Sequence, residues 1–130
     1  MGDAETEVPG NVSRETLERL YDEPDERIRE LTEQGVDAAA LDRRYAAFRA
    51  LANEDRLRLL DALRDGERCG CELMVILDAP QSTVSTHLRE LREAGLVASR
   101  RKGRWNYYRI ADTAVTELLD LTAAVGRNRD

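Results

Sequence analysis

The chain has 130 residues, enough for one domain with a real core and too few for two. Its apolar fraction is 42% but aromatics reach only 5%, so the core has to come from Leu, Val, Ile and Ala, as in a mainly helical protein. No apolar run approaches the roughly 20 residues that span a bilayer, and no signal-peptide pattern opens the chain; the expectation is a cytoplasmic protein with no membrane partner.

The formal net charge of −6 argues against a nucleic-acid partner until it is divided along the chain. Residues 1–80 hold 11 basic and 20 acidic side chains, whereas residues 81–109 hold seven basic ones (Arg89, Arg92, Arg100, Arg101, Lys102, Arg104, Arg109) against Glu90 and Glu93. A basic block inside an acidic body is an electrostatic footprint that the whole-chain balance conceals. Lys102 is the only lysine. Acid excess with so little lysine fits a halophilic, salt-rich cytoplasm; a GC-rich genome favouring arginine codons is the other reading.

Residues 1–36 read as an acidic extension, with 1–12 disordered and the remainder a helical arm. Ser13 is a candidate cap for a first helix carrying Leu17, Leu20 and Tyr21, which Pro24 breaks or kinks. A second helical segment with Ile28 and Leu31 continues to about Gly35. Residues 37–126 form the main domain. Asp37 caps a helix to about Ala52 with an apolar stripe of Leu41, Tyr45, Phe48, Leu51 and Ala52. Asn53 caps Glu54–Arg64, with Leu57, Leu60 and Leu63 inward and Gly66 as terminator. A short helix over Cys69–Leu77, a turn at Asp78-Ala79-Pro80 and a helix over Gln81–Ala94 closed by Gly95 follow. Two β-type runs, Leu96–Arg101 and Trp105–Ile110, flank Lys102-Gly103-Arg104 and predict a two-stranded hairpin with a basic tip. A last helix from Asp112 to about Val125 carries Val115, Leu118, Leu119 and Leu121.

Helix, short turn, helix and basic hairpin in this order predict a winged helix-turn-helix, mainly α with a small β-hairpin. Val84, Leu88 and Leu91 supply the inward stripe of Gln81–Ala94, which turns Gln81, Ser82, Thr83, Ser85, Thr86 and Arg89 toward a DNA groove. Gln pairs bidentately with adenine, and Ser and Thr accept several base edges. His87, the only histidine, is a structural or phosphate-contacting candidate. Arg101, Lys102 and Arg104 are expected on phosphate or in the minor groove. The terminal stripes, Leu41, Tyr45 and Phe48 with Val115, Leu118 and Leu119, are expected dimer surfaces. A homodimer would read a double-stranded operator with an imperfect inverted repeat.

Several segments resemble the arsenic-repressor (ArsR/SmtB) family: Leu51-Ala52-Asn53-Glu54-Asp55-Arg56-Leu57-Arg58-Leu59-Leu60, Ser85-Thr86-His87-Leu88, Leu91-Arg92-Glu93-Ala94-Gly95-Leu96-Val97 and Gly103-Arg104-Trp105-Asn106-Tyr107-Tyr108-Arg109. The resemblance covers roughly residues 40–122. It implies a transcriptional repressor with a winged helix, released from DNA by a metal effector. Cys69-Gly70-Cys71-Glu72-Leu73 resembles the thiolate motif of arsenic-sensing members, in which a third cysteine often stands where this chain has Met74. Relatives that bind zinc-type ions use Asp and His on the last helix; here it offers only Asp112 and Glu117.

Cys69 and Cys71 are the only thiols, and a loop so small makes a poor structural staple. Soft thiolates select As(III), Sb(III), Cu(I), Hg(II) or Cd(II), and a thioether such as Met74 suits Cu(I). Residues i and i+2 of an α-helix point about 200° apart, so the helix start is expected to be unwound, or to unwind on binding, with Gly70 easing the change. Arg68 and the helix start are expected to lower the thiol pKa values. An ion closing on the pair would then pull on the support of the reading helix and release DNA. A redox-responsive or ligand-independent DNA-binding regulator, or a Cu(I) or Cd(II) sensor, is the alternative. With one histidine, no phosphate loop and no nucleophile matched to a base, an enzyme is not expected.

Overall fold

The computed structural model describes residues 13–35 and 37–127, so the disorder expected over 1–12 lies outside the described residues. The chain divides into two compact units, 1–40 and 41–130. In the first, α1 (Arg14–Leu20) and α2 (Pro24–Glu33) pack on each other. Pro24 starts α2 rather than kinking a continuous helix; its missing N–H costs nothing at a first helical position. Ser13 precedes α1 but makes no side-chain cap. Arg14 pairs with Asp25. Helix α3 (Ala38–Leu51) follows, its start capped by Asp37, whose Oδ2 accepts from Ala40 N at 3.3 Å.

The second unit continues through α4 (Glu54–Ala62), β1 (Arg68–Cys69), α5 (Gly70–Leu77), α6 (Gln81–Glu93), β2 (Val97–Lys102), β3 (Trp105–Ile110) and α7 (Thr113–Ala124). Asn53 Oδ1 accepts from Arg56 N at 3.0 Å at the start of α4, a cap worth about 1 kcal/mol. Arg56 in turn donates Nε to Ala50 O at 2.7 Å and Nη2 to Arg49 O at 3.4 Å, so a guanidinium covers the carbonyl end of α3. The core is aliphatic: Leu59, Leu60, Leu63, Leu73, Leu77, Val84, Leu88 and Leu91, with Leu96, Val97, Tyr108, Val115 and Leu119 closing it from the sheet and α7.

Several expected faces differ from the observed ones. Leu57 is 38% exposed, and the inward positions of α4 are Leu59 and Leu60. Of the apolar run in α5, only Leu73 and Leu77 are buried, while Val75 is 79% exposed; a four-residue step puts one face of an eight-residue helix on the core and leaves the rest outside. Val115 and Leu119 belong to the chain's own core, so they have almost no surface to give a partner. This corrects their assignment to a dimer face. Leu41, Tyr45 and Phe48 remain exposed, as does Leu121.

The expected two-stranded hairpin is present as β2 and β3, and the sheet is larger than that hairpin by one strand. Residues Arg68 and Cys69 add a third, antiparallel strand in the order β1-β3-β2, with Arg68 opposite Tyr108 and Cys69 opposite Tyr107. In the wing proper Lys102 faces Trp105 across Gly103-Arg104, and Gly103 has φ +65°, the sign that the first position of a type II′ turn requires. Among the described residues no helix is long and apolar enough to cross a membrane.

The turn between α5 and α6 depends on Asp78, whose φ of 51° and ψ of 53° are left-handed. Its N–H reaches Val75 O and that of Ala79 reaches Met74 O, each at 3.2 Å. A β-branched residue pays heavily there, whereas aspartate tolerates it. Asp78→Val is expected to lower stability by about 1–2 kcal/mol, and Asp78→Gly to leave it equal or higher; urea unfolding measures both.

Candidate DNA interface and thiol site

Helix α6 presents its first turns away from the core. Val84, Leu88 and Leu91 are buried, Gln81, Ser82, Ser85, Thr86 and Arg89 are exposed, and Thr83 is half-buried. Thr86 Oγ1 donates to Ser82 O at 2.9 Å, which fixes its hydroxyl and leaves its lone pairs and methyl for a partner. His87 does not share this exposed face. Its side chain is 15% exposed, with Nε2 3.8 Å from Asp55 Oδ2 and Nδ1 3.4 Å from Arg56 Nη1. The ring joins α6 to the start of α4, so it is the structural half of its expectation that these contacts favour.

On the wing, Arg101, Lys102 and Arg104 are exposed, and Arg101 Nε donates to Gly103 O at 3.2 Å. Arg100 is differently placed. Its guanidinium makes two 2.7 Å hydrogen bonds to the Glu67 carboxylate and lies 5.9 Å from the Tyr107 ring centre. Paired to the residue before β1, it braces the base of the wing; the same contact holds the Glu67 carboxyl below its usual range and raises Arg100.

The thiols sit where β1 runs into α5. Cys69 is not helical: with φ −68° and ψ 147° it is the extended N-cap. Its Sγ accepts from Cys71 N at 3.3 Å, and Glu72 Oε1 accepts from Cys69 N at 2.8 Å, a capping box with sulfur in the place of a hydroxyl. The two sulfurs lie 2.7 Å apart. The 200° divergence expected of two helical residues is avoided because only Cys71 lies inside the helix, and no unwinding at Gly70 is needed. Gly70 instead lies under β3, where an added Cβ would be 3.5 Å from Tyr108 Cε2, an ordinary contact.

Cys69 is buried and Cys71 exposed. The Cys71 thiol is pushed up, first by its hydrogen bond to Cys69, then by desolvation and by the Cys69 charge. This corrects the expectation of a lowered value there: Arg68 is turned to Ala62 O at 2.6 Å and to Glu72 at 3.7 Å, so its charge is already answered. Among the described residues no three His, Cys, Asp or Glu side chains converge, and Glu72 is committed to its cap. The donor set is two sulfurs, which fits a thiophilic ion and not a hard one. Met74 is half-buried against the core and shares with Cys71 a cleft of about 390 Å³, closed by Gln81 and Ser85 of α6 and by Arg104 and Trp105 of the wing.

A helix-turn-helix carrying a basic hairpin at the end of its reading helix defines the class, a winged-helix DNA-binding protein. Residues 53–99 match the family model described as bacterial regulatory protein, arsR family. The chain belongs to that family of transcriptional regulators, whose members here are DNA-binding proteins and not enzymes. It is 48% identical over 64 residues to the arsenic resistance transcriptional regulator ArsR1 of Pseudomonas putida, a match covering 48% of this chain and 50% of that one, so it spans half that relative's length. Among solved structures it resembles the homodimeric winged helix-turn-helix DNA-binding domain of a possible ArsR-family transcriptional regulator from Mycobacterium bovis, with 38% identity and a TM-score of 0.66 over 72% of this chain and 89% of that one. It also resembles the AntR antimony-specific transcriptional repressor, with 32% identity and a TM-score of 0.59 over 72% of this chain and 88% of that one.

Because a thiol alkylates only as thiolate and the Cys71 value is raised, iodoacetamide is expected to modify Cys71 more slowly at neutral pH than a free cysteine. The midpoint of its pH profile should lie above the free-cysteine value of about 8.5, and Cys69→Ser should move it down. Mass spectrometry of the alkylated peptide reads both.

Proposed function

We propose that the protein is a homodimeric repressor that leaves its operator when As(III) or Sb(III) is bound by Cys69 and Cys71. The observation that carries this reading is the convergence of the two sulfurs at the junction of β1 and α5. That junction is one step from both DNA-reading parts. Cys69 is paired with Tyr107 in the strand that leads back from the wing tip, and α5 packs on α6. The sulfurs are closer than two ligands of one ion can be, so an ion bonded to both has to move Cys71 away from Cys69. That movement acts on the wing through the ladder and on α6 through the core at once. Only differential binding to the DNA-free form can produce release.

In this reading Gln81, Ser82, Thr83, Ser85, Thr86 and Arg89 face base edges and Arg101, Lys102 and Arg104 meet phosphate or the minor groove. His87 keeps α6 aligned on α4. Phosphate contacts weaken steeply with salt, so a halophilic setting would leave more of the affinity to base and shape readout. The sulfur contact also favours a second reading, closure to a disulfide under peroxide, in which each thiol gives up one proton and one electron.

Operator anisotropy titrations with arsenite, antimonite, Cu(I), Cd(II) or peroxide separate these readings. Arsenite or antimonite is expected to weaken binding by about 5- to 150-fold, with no effect on Cys69→Ser/Cys71→Ser. Release by peroxide alone would overturn the ion reading in favour of the redox one, and release by Cu(I) or Cd(II) alone would reassign the effector.

The exposed stripe of α3, with Leu41 53%, Tyr45 65% and Phe48 57% exposed, is the dimer face in this proposal, with Leu118 and Leu121 as candidates on α7. Phe48→Glu is expected to give a monomer in analytical ultracentrifugation, and operator affinity is expected to fall at least tenfold as the second half-site is lost.

A further inference from the structure

Resting on the As(III)/Sb(III) reading, we propose that the third position on the bound ion is filled by a small monothiol bearing a carboxylate, seated in the cleft beside Cys71 and held by Arg104. Trivalent arsenic and antimony bond three sulfurs where they can, and each chain has two. No third His, Cys, Asp or Glu joins the pair among the described residues, and the half-buried Met74 thioether is neutral and cannot exchange for a hydroxyl. Cys71, the exposed thiol, opens onto a cleft of about 390 Å³, within the range of small-molecule sites.

The cleft is lined for such a guest. Met74, Trp105 and Tyr108 offer apolar and aromatic wall to a short carbon skeleton, and Arg104 stands among the lining residues. Among the described residues Arg104 has no ion pair or hydrogen bond, so its guanidinium has no anion of its own there. A guanidinium is suited to bidentate carboxylate recognition.

The chemistry balances without a redox partner. Arsenite exchanges its three hydroxyls for three sulfurs, two from the protein and one from the monothiol. Three As–S bonds form, three As–O bonds break, the thiol protons leave with the hydroxyls as three waters, and arsenic stays trivalent. The arrangement has a consequence for DNA. The arginine that grips the guest carboxylate is one of the three basic residues at the wing tip, so closing the ion site withdraws a cation from the phosphate face.

The test uses the full chain, reduced with a phosphine and free of small thiols, and titrates arsenite with L-cysteine or with cysteamine, which lacks the carboxylate. Native mass spectrometry is expected to show one arsenic and one cysteine per chain. Arsenite affinity, followed by the fluorescence of Trp105 as the only tryptophan, should be at least tenfold higher with cysteine than with cysteamine. Arg104→Gln should abolish that difference while still binding arsenite. Arsenic held by Cys69 and Cys71 with no thiol retained, or equal affinity with the two thiols, overturns this inference and leaves the ion-release reading standing. Absence of arsenic binding in every arm overturns both.

Discussion

The pairing of Arg68 and Cys69 with Tyr108 and Tyr107 is the constraint on which the rest of the site depends. It holds Cys69 extended, so its sulfur turns back over the first turn of α5 instead of projecting from the opposite side of a helix. It converts a two-stranded wing into a sheet whose outer strand carries a thiol. It also draws Tyr108 over Gly70 and into the core beside Leu73 and Leu88. Removing the strand would leave a winged helix, but Cys69 would lose its extended pairing and only the packing of α5 on β3 would join the cysteines to the wing.

A second contact acts in the same direction. The Glu67–Arg100 pair clasps the residue before β1 to the middle of β2, so β1 is fixed at one end by an ion pair and at the other by the sulfur and carboxylate caps of α5. Exposed pairs of this kind contribute little to stability. Its value here is positional: it limits where the two-residue strand can go. The raised Cys71 thiol follows from the same geometry, since bringing a second sulfur against the first stabilises the proton on it.

The helical frame was legible wherever a period or a stop signal repeats. The Val84, Leu88 and Leu91 stripe, the Asp37 and Asn53 caps and the turn at Gly103 all read directly, because each is a local rule acting within one or two turns of chain. At Gly95 the chain leaves α6 in a Schellman arrangement, with Leu96 N on Leu91 O at 2.9 Å. What could not be read lies at longer range. Two residues have no period, so β1 looked like the start of a helix. An apolar run such as Leu73–Leu77 does not say which members face inward. Arg56 and His87 are 31 positions apart and Glu67 and Arg100 are 33 apart, and no local pattern announces such partners. The cysteines themselves were conspicuous; their convergence was not, because it depends on a backbone angle set from β3.

Arg56 also has a role beyond closing the end of α3. A single guanidinium touches the last carbonyls of α3 and the ring of His87 on α6. In a pair joined through α3, these three contacts would gear the symmetry axis to the reading helix in each half. The separation of the two helices, and hence the number of base pairs between half-sites, would then depend on the seating of this arginine as well as on the core packing of α6. An operator spacing that differs between relatives would then be sought first in how tightly that arginine is seated, and only afterwards in the residues that face the bases.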